Sequence, residues 1–315
     1  MPWERKVNCM NFKEELEKRT IYANHVLEQY GILPEEGYQK TVLSAMNYSL
    51  LAGGKRLRPI LMHETYQLFG KENAAIESFM AAIEMIHTYS LVHDDLPAMD
   101  NDEYRRGKKT THVAFGEDMA ILAGDALLNY AYETAAKAFS LCKDKDSFEK
   151  MQAIAKALQI LTSKAGIYGM VGGQTFDVEA ERKETALNEE QLLFIFELKT
   201  SALIQSAMMI GAVLGGAAED ELMVISDAAK DIGIAFQIQD DILDVVSTQE
   251  VLGKPIGSDA KNNKITYVTI KGLEQAQKDV AMYSERALKG LASLPYESRN
   301  QFLLELVTEL ITRTK

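Results

Sequence analysis

Residues 231–244 read Asp231-Ile-Gly-Ile-Ala-Phe-Gln-Ile-Gln-Asp-Asp-Ile-Leu-Asp244, an apolar run that closes on three carboxylates. Asp240 and Asp244 are spaced i, i+4, and Asp241 and Asp244 are spaced i, i+3. On a helix those spacings bring side chains onto one face, within several ångströms of each other. Like charges at that range repel, and apolar surroundings make ionised carboxylates costly. Because Ile232, Ile234, Ala235, Phe236 and Ile238 precede the acids, this is no solvated charge run. Something cationic should neutralise it. Oxygen ligands without cysteine favour magnesium, which keeps several waters and bridges carboxylates to phosphates.

A second acidic cluster stands earlier, in Ile86-His-Thr-Tyr-Ser-Leu-Val-His-Asp-Asp-Leu-Pro-Ala-Met-Asp100, again after an apolar run. Asp94, Asp95 and Asp100 are its carboxylates, with Asn101 and Asp102 directly after them. Either cluster alone could be an acid-capped helix end; two with the same apolar approach point to a metal site.

The chain around these clusters reads as helix. Amphipathic or apolar periodicity predicts segments over 11–31, 38–51, 59–70, 74–96, 119–140, 146–165, 192–214, 219–246, 271–291 and 297–312. Gly31, Gly53-Gly54 and Gly70 close the first three, and Pro59 suits a first turn. Asp146 with Glu149, and Asn188 with Gln191, make capping boxes. Strand-like alternation is short, and only 6 prolines and 20 glycines interrupt 315 residues. The expected fold is all-α, a single domain over 1–315 of roughly ten helices or more. Residues 1–10 have no helical period and read as an N-terminal extension, with Met10 an alternative start.

Composition excludes other classes. A net charge of −12 argues against a protein-wide nucleic-acid footprint, although a local cation cluster could still take a small anion. Cys9 and Cys142 make no disulfide framework or metal knuckle and suit a reducing cytosol. No secretory leader opens the chain. The segment 192–214 has about the length of a membrane span, but Glu197 and Lys199 within it would each cost roughly 3 kcal/mol at a bilayer centre. A buried core helix is the better reading, with no membrane insertion and a cytoplasmic location.

Cations follow the acids. Gly53-Gly54-Lys55-Arg56-Leu57-Arg58-Pro59 sets three positive charges in a glycine turn that opens a helix, where an anion gains from the helix N-terminus. Arg105, Arg106, Lys108 and Lys109 follow the first cluster, and Lys254 and Lys264 follow the second. Lys199, among Leu192, Leu193, Ile195, Leu198, Ala202 and Leu203, borders the core and needs a partner. Glu197, a helix carbonyl or a ligand phosphate could serve.

Taken in order, the glycine turn, the Ile86–Asp100 segment with Arg105-Arg106-Gly107, Phe236-Gln-Ile-Gln-Asp-Asp-Ile-Leu-Asp244 and Gly253-Lys-Pro-Ile-Gly-Ser-Asp259 resemble the motifs of short-chain trans-prenyl diphosphate synthases. The likeness runs from about residue 11 to the C-terminus, and the ordered set is far more specific than one Asp-Asp-x-x-Asp. It implies an all-α bundle around an apolar cavity, usually a homodimer, with isopentenyl and allylic diphosphates as substrates. It further implies three magnesium ions bridging the allylic diphosphate to Asp94 and Asp100 on one wall and to Asp240 on the other, with Asp95, Asp241 and Asp244 as ligands or supports. By position, Arg105, Lys199 and Lys254 would contact the allylic diphosphate, with Gln237 and Lys264 nearby. Gly54, Lys55, Arg58, His87 and Arg106 would hold isopentenyl diphosphate. Thr200 and Gln237 would turn oxygen dipoles toward a carbocation.

Gly169-Met-Val-Gly-Gly-Gln174 with Asp177 resembles a further family segment, whose small residues would admit a second helix or a substrate tail. His93 reads as structural: a helical phosphohydrolase needs more histidines than His25, His63 and His112 would add. A terpene cyclase would not need the glycine-turn cations or His87, and a non-catalytic subunit should show decayed acidic clusters. Tyr89, five residues before Asp94, would lie about one and a half turns up the same helix as the cavity floor. In the family a bulky residue there, with two extra residues between Asp94 and Asp100, resembles bacterial enzymes making the C15 product rather than C20.

Overall fold

The computed structural model describes residues 11–31, 33–143, 147–183, 186–246, 265–296, 299 and 301–312. Its long helices are α1 (Phe12–Gly31), α2 (Lys40–Leu50), α3 (Leu57–Phe69), α4 (Ile76–Asp94), α6 (Glu117–Lys137), α7 (Ser147–Ala165), α8 (Met170–Arg182), α10 (Ala202–Gly215), α11 (Glu219–Val246), α13 (Leu273–Ser293) and α14 (Gln301–Thr312). Shorter helices are α5 (Thr111–Phe115), α9 (Glu189–Ile195) and α12 (Tyr267–Lys271), and a 3-10 turn over Ala138–Leu141 extends α6. All ten expected segments are helical, with ends within a few residues of the predicted ones. Asp146 and residues 1–10 lie outside the described residues. The other capping box is present: Asn188 Oδ1 accepts from the Gln191 N–H at 2.9 Å, and Gln191 Oε1 accepts from the Asn188 N–H at 3.0 Å.

Two helices carry the core. From Ile76 to Ile86 every residue of α4 but Glu77 is buried, which explains its largely apolar sequence; α1, α2, α3, α6 and α10 surround it. All but one residue of α10 is buried, chiefly against α3, α7 and α11. The run Glu189–Gly215 is long and apolar enough to cross a membrane, yet 61% of its apolar window is buried inside the bundle. It is a core helix.

The structure adds three things to the expected all-α plan. First, α5, α8 and α12 join the predicted set. In α8 the Gly172-Gly173 pair weakens intrinsic helix propensity by about 1 kcal/mol per glycine, and packing overrides it. Second, a two-stranded ribbon, β1 (Tyr104–Arg105) and β2 (Lys108–Lys109), pairs Tyr104 with Lys109 and Arg105 with Lys108. Its two central residues, Arg106 and Gly107, have φ of 53° and 76°, the left-handed pair that a tight hairpin with native twist demands. Third, the predicted continuous helix over 192–214 widens at Phe196–Ser201 into a π-turn, where Ser201 Oγ donates to the Phe196 carbonyl five residues back.

The glycine turn before α3 is anchored from below. Arg56, at φ 48°, points inward rather than toward a ligand. Its guanidinium donates to Asn24 Oδ1 of α1, the Leu50 carbonyl of α2 and Glu84 Oε1 of α4, each at 2.9 Å. Both charges of the Arg56–Glu84 pair are 2% exposed. Removing one partner leaves the other buried and uncompensated, so Glu84→Ala is expected to lower unfolding free energy by about 3–5 kcal/mol. Urea denaturation measures this; a loss under about 1 kcal/mol would deny the pair its anchoring role.

Candidate active site

Helix α4 ends at the first acidic cluster, and the chain folds straight back over that end. The Asp100 N–H donates to the Asp94 carbonyl at 2.8 Å and the Asn101 N–H to the Leu96 carbonyl at 3.1 Å. Asp100 is thereby kept beside Asp94, which is half-buried, while Asp100 is exposed. Burial, first, and then the nearby Asp100 push the Asp94 carboxyl up to about 6, against the opposing pull of Lys199. Asp95 is turned the other way, only 3% exposed. Arg105 of the ribbon grips it: Nη2 lies 2.5 Å and Nε 2.7 Å from Oδ1. The cluster therefore splits its labour, with Asp95 fastening the hairpin and Asp94 and Asp100 left at the site.

The predicted cation group assembles next to this. At Gly54 φ is 130°, and a Cβ there would lie 2.6 Å from Arg106 Nη1, so glycine lets that guanidinium close over the turn and donate to the Gly53 carbonyl. Lys55 is exposed. Arg58 Nε is shielded from solvent and finds no hydrogen-bond partner among the described residues. Burial, followed by the positive charges of Arg58, Arg106, Arg105 and Arg56, holds the His87 imidazole well below its ordinary value. Charges of one sign so concentrated suit an anion.

Lys199 and Thr200 stand on the π-turn, the kind of helix defect that recurs at functional sites. Packing makes it. A Cβ on Gly173 of α8 would strike the Lys199 backbone nitrogen, and one on Gly233 of α11 would strike Ser201, so two glycines admit the widened turn between their helices. Gly173 of the Gly169–Gln174 segment thus serves a helix–helix approach, while Gly169 and Gly172 lie against the backbone of the preceding turn. Lys199 Nζ is paired with Asp177 Oδ2 at 2.6 Å, a partner that none of the sequence alternatives named. Thr200 Oγ1 donates to Gln237 Oε1 at 3.0 Å. Gln174 Nε2 donates to Asp94 Oδ1 at 2.7 Å.

A polar chain thus crosses the apolar bundle. It runs from Asp94 to Gln174, three residues along α8 to Asp177, on to Lys199 and Thr200, and to Gln237, three residues before Asp240. At the second cluster Asp240 and Asp244 are half-buried, but Asp241 is 6% exposed, and its Oδ2 accepts from the Tyr267 N–H at 2.7 Å. The helical spacing grouped Asp241 with the other two on one face; the structure engages it instead at the start of α12. Lys254, Lys264 and the segment Gly253–Asp259 lie outside the described residues.

Tyr89 is buried on α4, its ring edge-on to His93 at 5.8 Å. Burial, then Tyr132 and Asp94, push its hydroxyl up to about 12. His93 lies over Gly124 of α6, and its Nε2 is 3.2 Å from the Ile121 carbonyl, a structural role as expected.

The donors suit magnesium. Among the described residues no three acidic or imidazole groups converge into a closed cage. Magnesium needs none, taking one or two carboxylates and completing its shell with water and substrate phosphate. Asp94, charged against the penalty of burial, and Gln174 Oε1, buried with no partner among the described residues, match that demand.

The profile of the polyprenyl synthetase family matches residues 39–292. A farnesyl diphosphate synthase from Escherichia coli is 41% identical over 304 residues, 96% of this chain and 98% of that protein. A geranylgeranyl diphosphate synthase from Cyanophora paradoxa is 46% identical over 247 residues, 78% of this chain and 79% of that one. A geranyltransferase from Helicobacter pylori, solved with magnesium and isoprenyl diphosphate, superposes with a TM-score of 0.78 at 29% identity, covering 97% of this chain and 99% of its own.

The depressed His87 fixes the sign of a pH effect. An anion bound among Arg58, Arg106 and His87 would raise the depressed imidazole pKa, so binding takes up a fraction of a proton and strengthens as pH falls through the raised value. Calorimetry with inorganic pyrophosphate in buffers of different ionisation enthalpy is expected to show that uptake, reduced in His87→Gln. Equal uptake by both proteins would clear His87 of contact with the anion.

Proposed function

Since the chain belongs to the polyprenyl synthetase family, we propose that it condenses isopentenyl diphosphate head to tail with dimethylallyl or geranyl diphosphate and releases farnesyl diphosphate. The observation that carries this reading is the polar chain through Lys199, Thr200 and Gln237, which links two acidic clusters across an otherwise apolar bundle.

The chemistry begins with cleavage of the allylic carbon–oxygen bond, whose electron pair leaves with the diphosphate. The barrier falls only if positive charge is already concentrated where that negative charge develops. Lys199 and Arg105, with Lys254 and Lys264, receive the leaving group. Asp94, Asp100 and Asp240 would hold magnesium, as three ions, with Asp95, Asp241 and Asp244 in support, and those ions would supply Lewis-acid charge against the diphosphate. The allylic cation left behind must be kept from water, and the apolar core does this. Thr200 commits its hydroxyl proton to Gln237 Oε1 at 3.0 Å. The lone pairs of Thr200 Oγ1 are thereby free to face the cation. Lys55, Arg58, His87 and Arg106, packed around Gly54, hold isopentenyl diphosphate so that its double bond attacks the cation. A proton is then lost to the departed diphosphate, which regenerates a double bond.

Growth of the chain ends where the tail meets Tyr89. The protein acts as a homodimer, a reading supported by the exposed apolar residues Ile121 and Leu122 on α6 and Ile167 and Tyr168 ahead of α8. The cytoplasm is its compartment, in keeping with its two cysteines.

Radiolabelled isopentenyl diphosphate with geranyl diphosphate and magnesium is expected to give a C15 product, and EDTA to abolish it. A single-substrate hydrocarbon would mark a cyclase instead, and no product a binding subunit. Asp94→Ala should cut kcat at least about 100-fold. Tyr89→Ala should lengthen the product to C20 or beyond; an unaltered C15 product would assign the floor to another side chain.

A further inference from the structure

Helix α8 reaches both Asp94 and Lys199, yet the reading above gives its Asp177 no part in the reaction. Gln174 and Asp177, spaced i, i+3, share one face of it. Gln174 touches Asp94 and Asp177 touches Lys199. The Asp177 side chain is 10% exposed and that of Lys199 28%, so the ion pair is largely withdrawn from water. The same helix also holds the lysine's backbone, through the close approach at Gly173.

Three physical points give this contact a purpose. A lysine side chain has four rotatable bonds, and ordering it costs about 2 kcal/mol. Asp177 meets that cost before substrate arrives. An ammonium carries three N–H donors and a carboxylate oxygen occupies one, so the others remain for a phosphate. A carboxylate 2.6 Å away also offsets the penalty of holding an ammonium in an apolar wall.

We propose that Asp177 is a positioning residue for the prenyl transfer, orienting the Lys199 ammonium from α8 so that it meets the diphosphate as the allylic carbon–oxygen bond breaks. The proposal rests on the synthase reading. It separates Asp177 from the metal-holding aspartates: its partner is a cation, and its effect passes through Lys199 alone.

That dependence is testable by a double-mutant cycle. Asp177→Asn keeps shape and an acceptor oxygen but removes the charge; Asp177→Glu keeps the charge but displaces the ammonium by about one methylene. Each is compared with the parent protein and again with Lys199→Met, by single-turnover formation of product from geranyl and isopentenyl diphosphates at saturating magnesium. Both single variants are expected to lose about 10- to 100-fold in rate. The KM for isopentenyl diphosphate should stay within about twofold, because other cations hold it. In the Lys199→Met background the same changes at position 177 should alter the rate by less than about twofold. Equal losses in both backgrounds would overturn the proposal, as would full activity in Asp177→Glu, which would reduce the residue to charge balance. Thermal unfolding monitors folding, and Asp177→Glu carries the test if Asp177→Asn fails to fold. A parent protein that makes no product would sink the synthase reading itself, a distinguishable outcome.

Discussion

Keeping groups of both signs ionised inside an apolar helical bundle is the constraint on which this structure turns. Burial drives Asp94 up to about 6 and holds His87 well below its ordinary value, so each resists its charged form. The protein answers only part of that resistance. It pairs Asp95 with Arg105, Arg56 with Glu84 and Lys199 with Asp177. Asp94 keeps a neutral amide donor, Gln174, and Arg58 Nε has no partner among the described residues. What is left uncompensated defines the ligand: cations for the acidic end, an anion for the basic corner. A magnesium-bound diphosphate satisfies both at once.

A common pattern within the two Asp-Asp pairs follows from the same constraint. In each the second aspartate is the buried one and secures the segment that follows: Asp95 holds the ribbon carrying Arg105, and Asp241 holds the start of α12. The first aspartate of each pair stays half-buried. Adjacent helical residues project about 100° apart, so a pair cannot present both carboxylates to one ion equally well. Using one inward and one outward turns a geometric limit into an anchor: Asp95 for the ribbon and Asp241 for the start of α12.

How far the sequence could carry this depends on range. Ten of the eleven long helices among the described residues were legible because apolar periodicity and caps are local signals, and the acidic clusters because carboxylates after apolar runs are rare. The ribbon was not, since two-residue strands are too short for an alternating pattern to register. Nor was the π-turn: residues 192–214 read as one helix, and the widening comes from Gly173 and Gly233, distant in sequence, pressing on either side of it. The Lys199–Asp177 pair spans 22 residues and the Gln174–Asp94 contact 80, so no spacing rule could find them. Arg56 looked like Lys55 and Arg58 in the turn, and only its left-handed backbone and the buried Glu84 turn it inward.

Range also bears on product length. Relatives that make farnesyl and geranylgeranyl diphosphates are similarly close, at 41% and 46% identity, so whole-chain likeness is blind to the difference. A property that one side chain can decide leaves little trace in an average over hundreds. The local packing is more informative. Tyr89 cannot easily swing aside, because its ring stands edge-on against His93, and His93 is itself seated over Gly124 and within hydrogen-bond distance of the Ile121 carbonyl. In a core packed to native density, moving a ring so held means moving α6 with it. If Tyr89 is the floor proposed above, that floor is as rigid as the α4–α6 contact, and a C15 stop would follow from that stiffness as much as from the size of the ring.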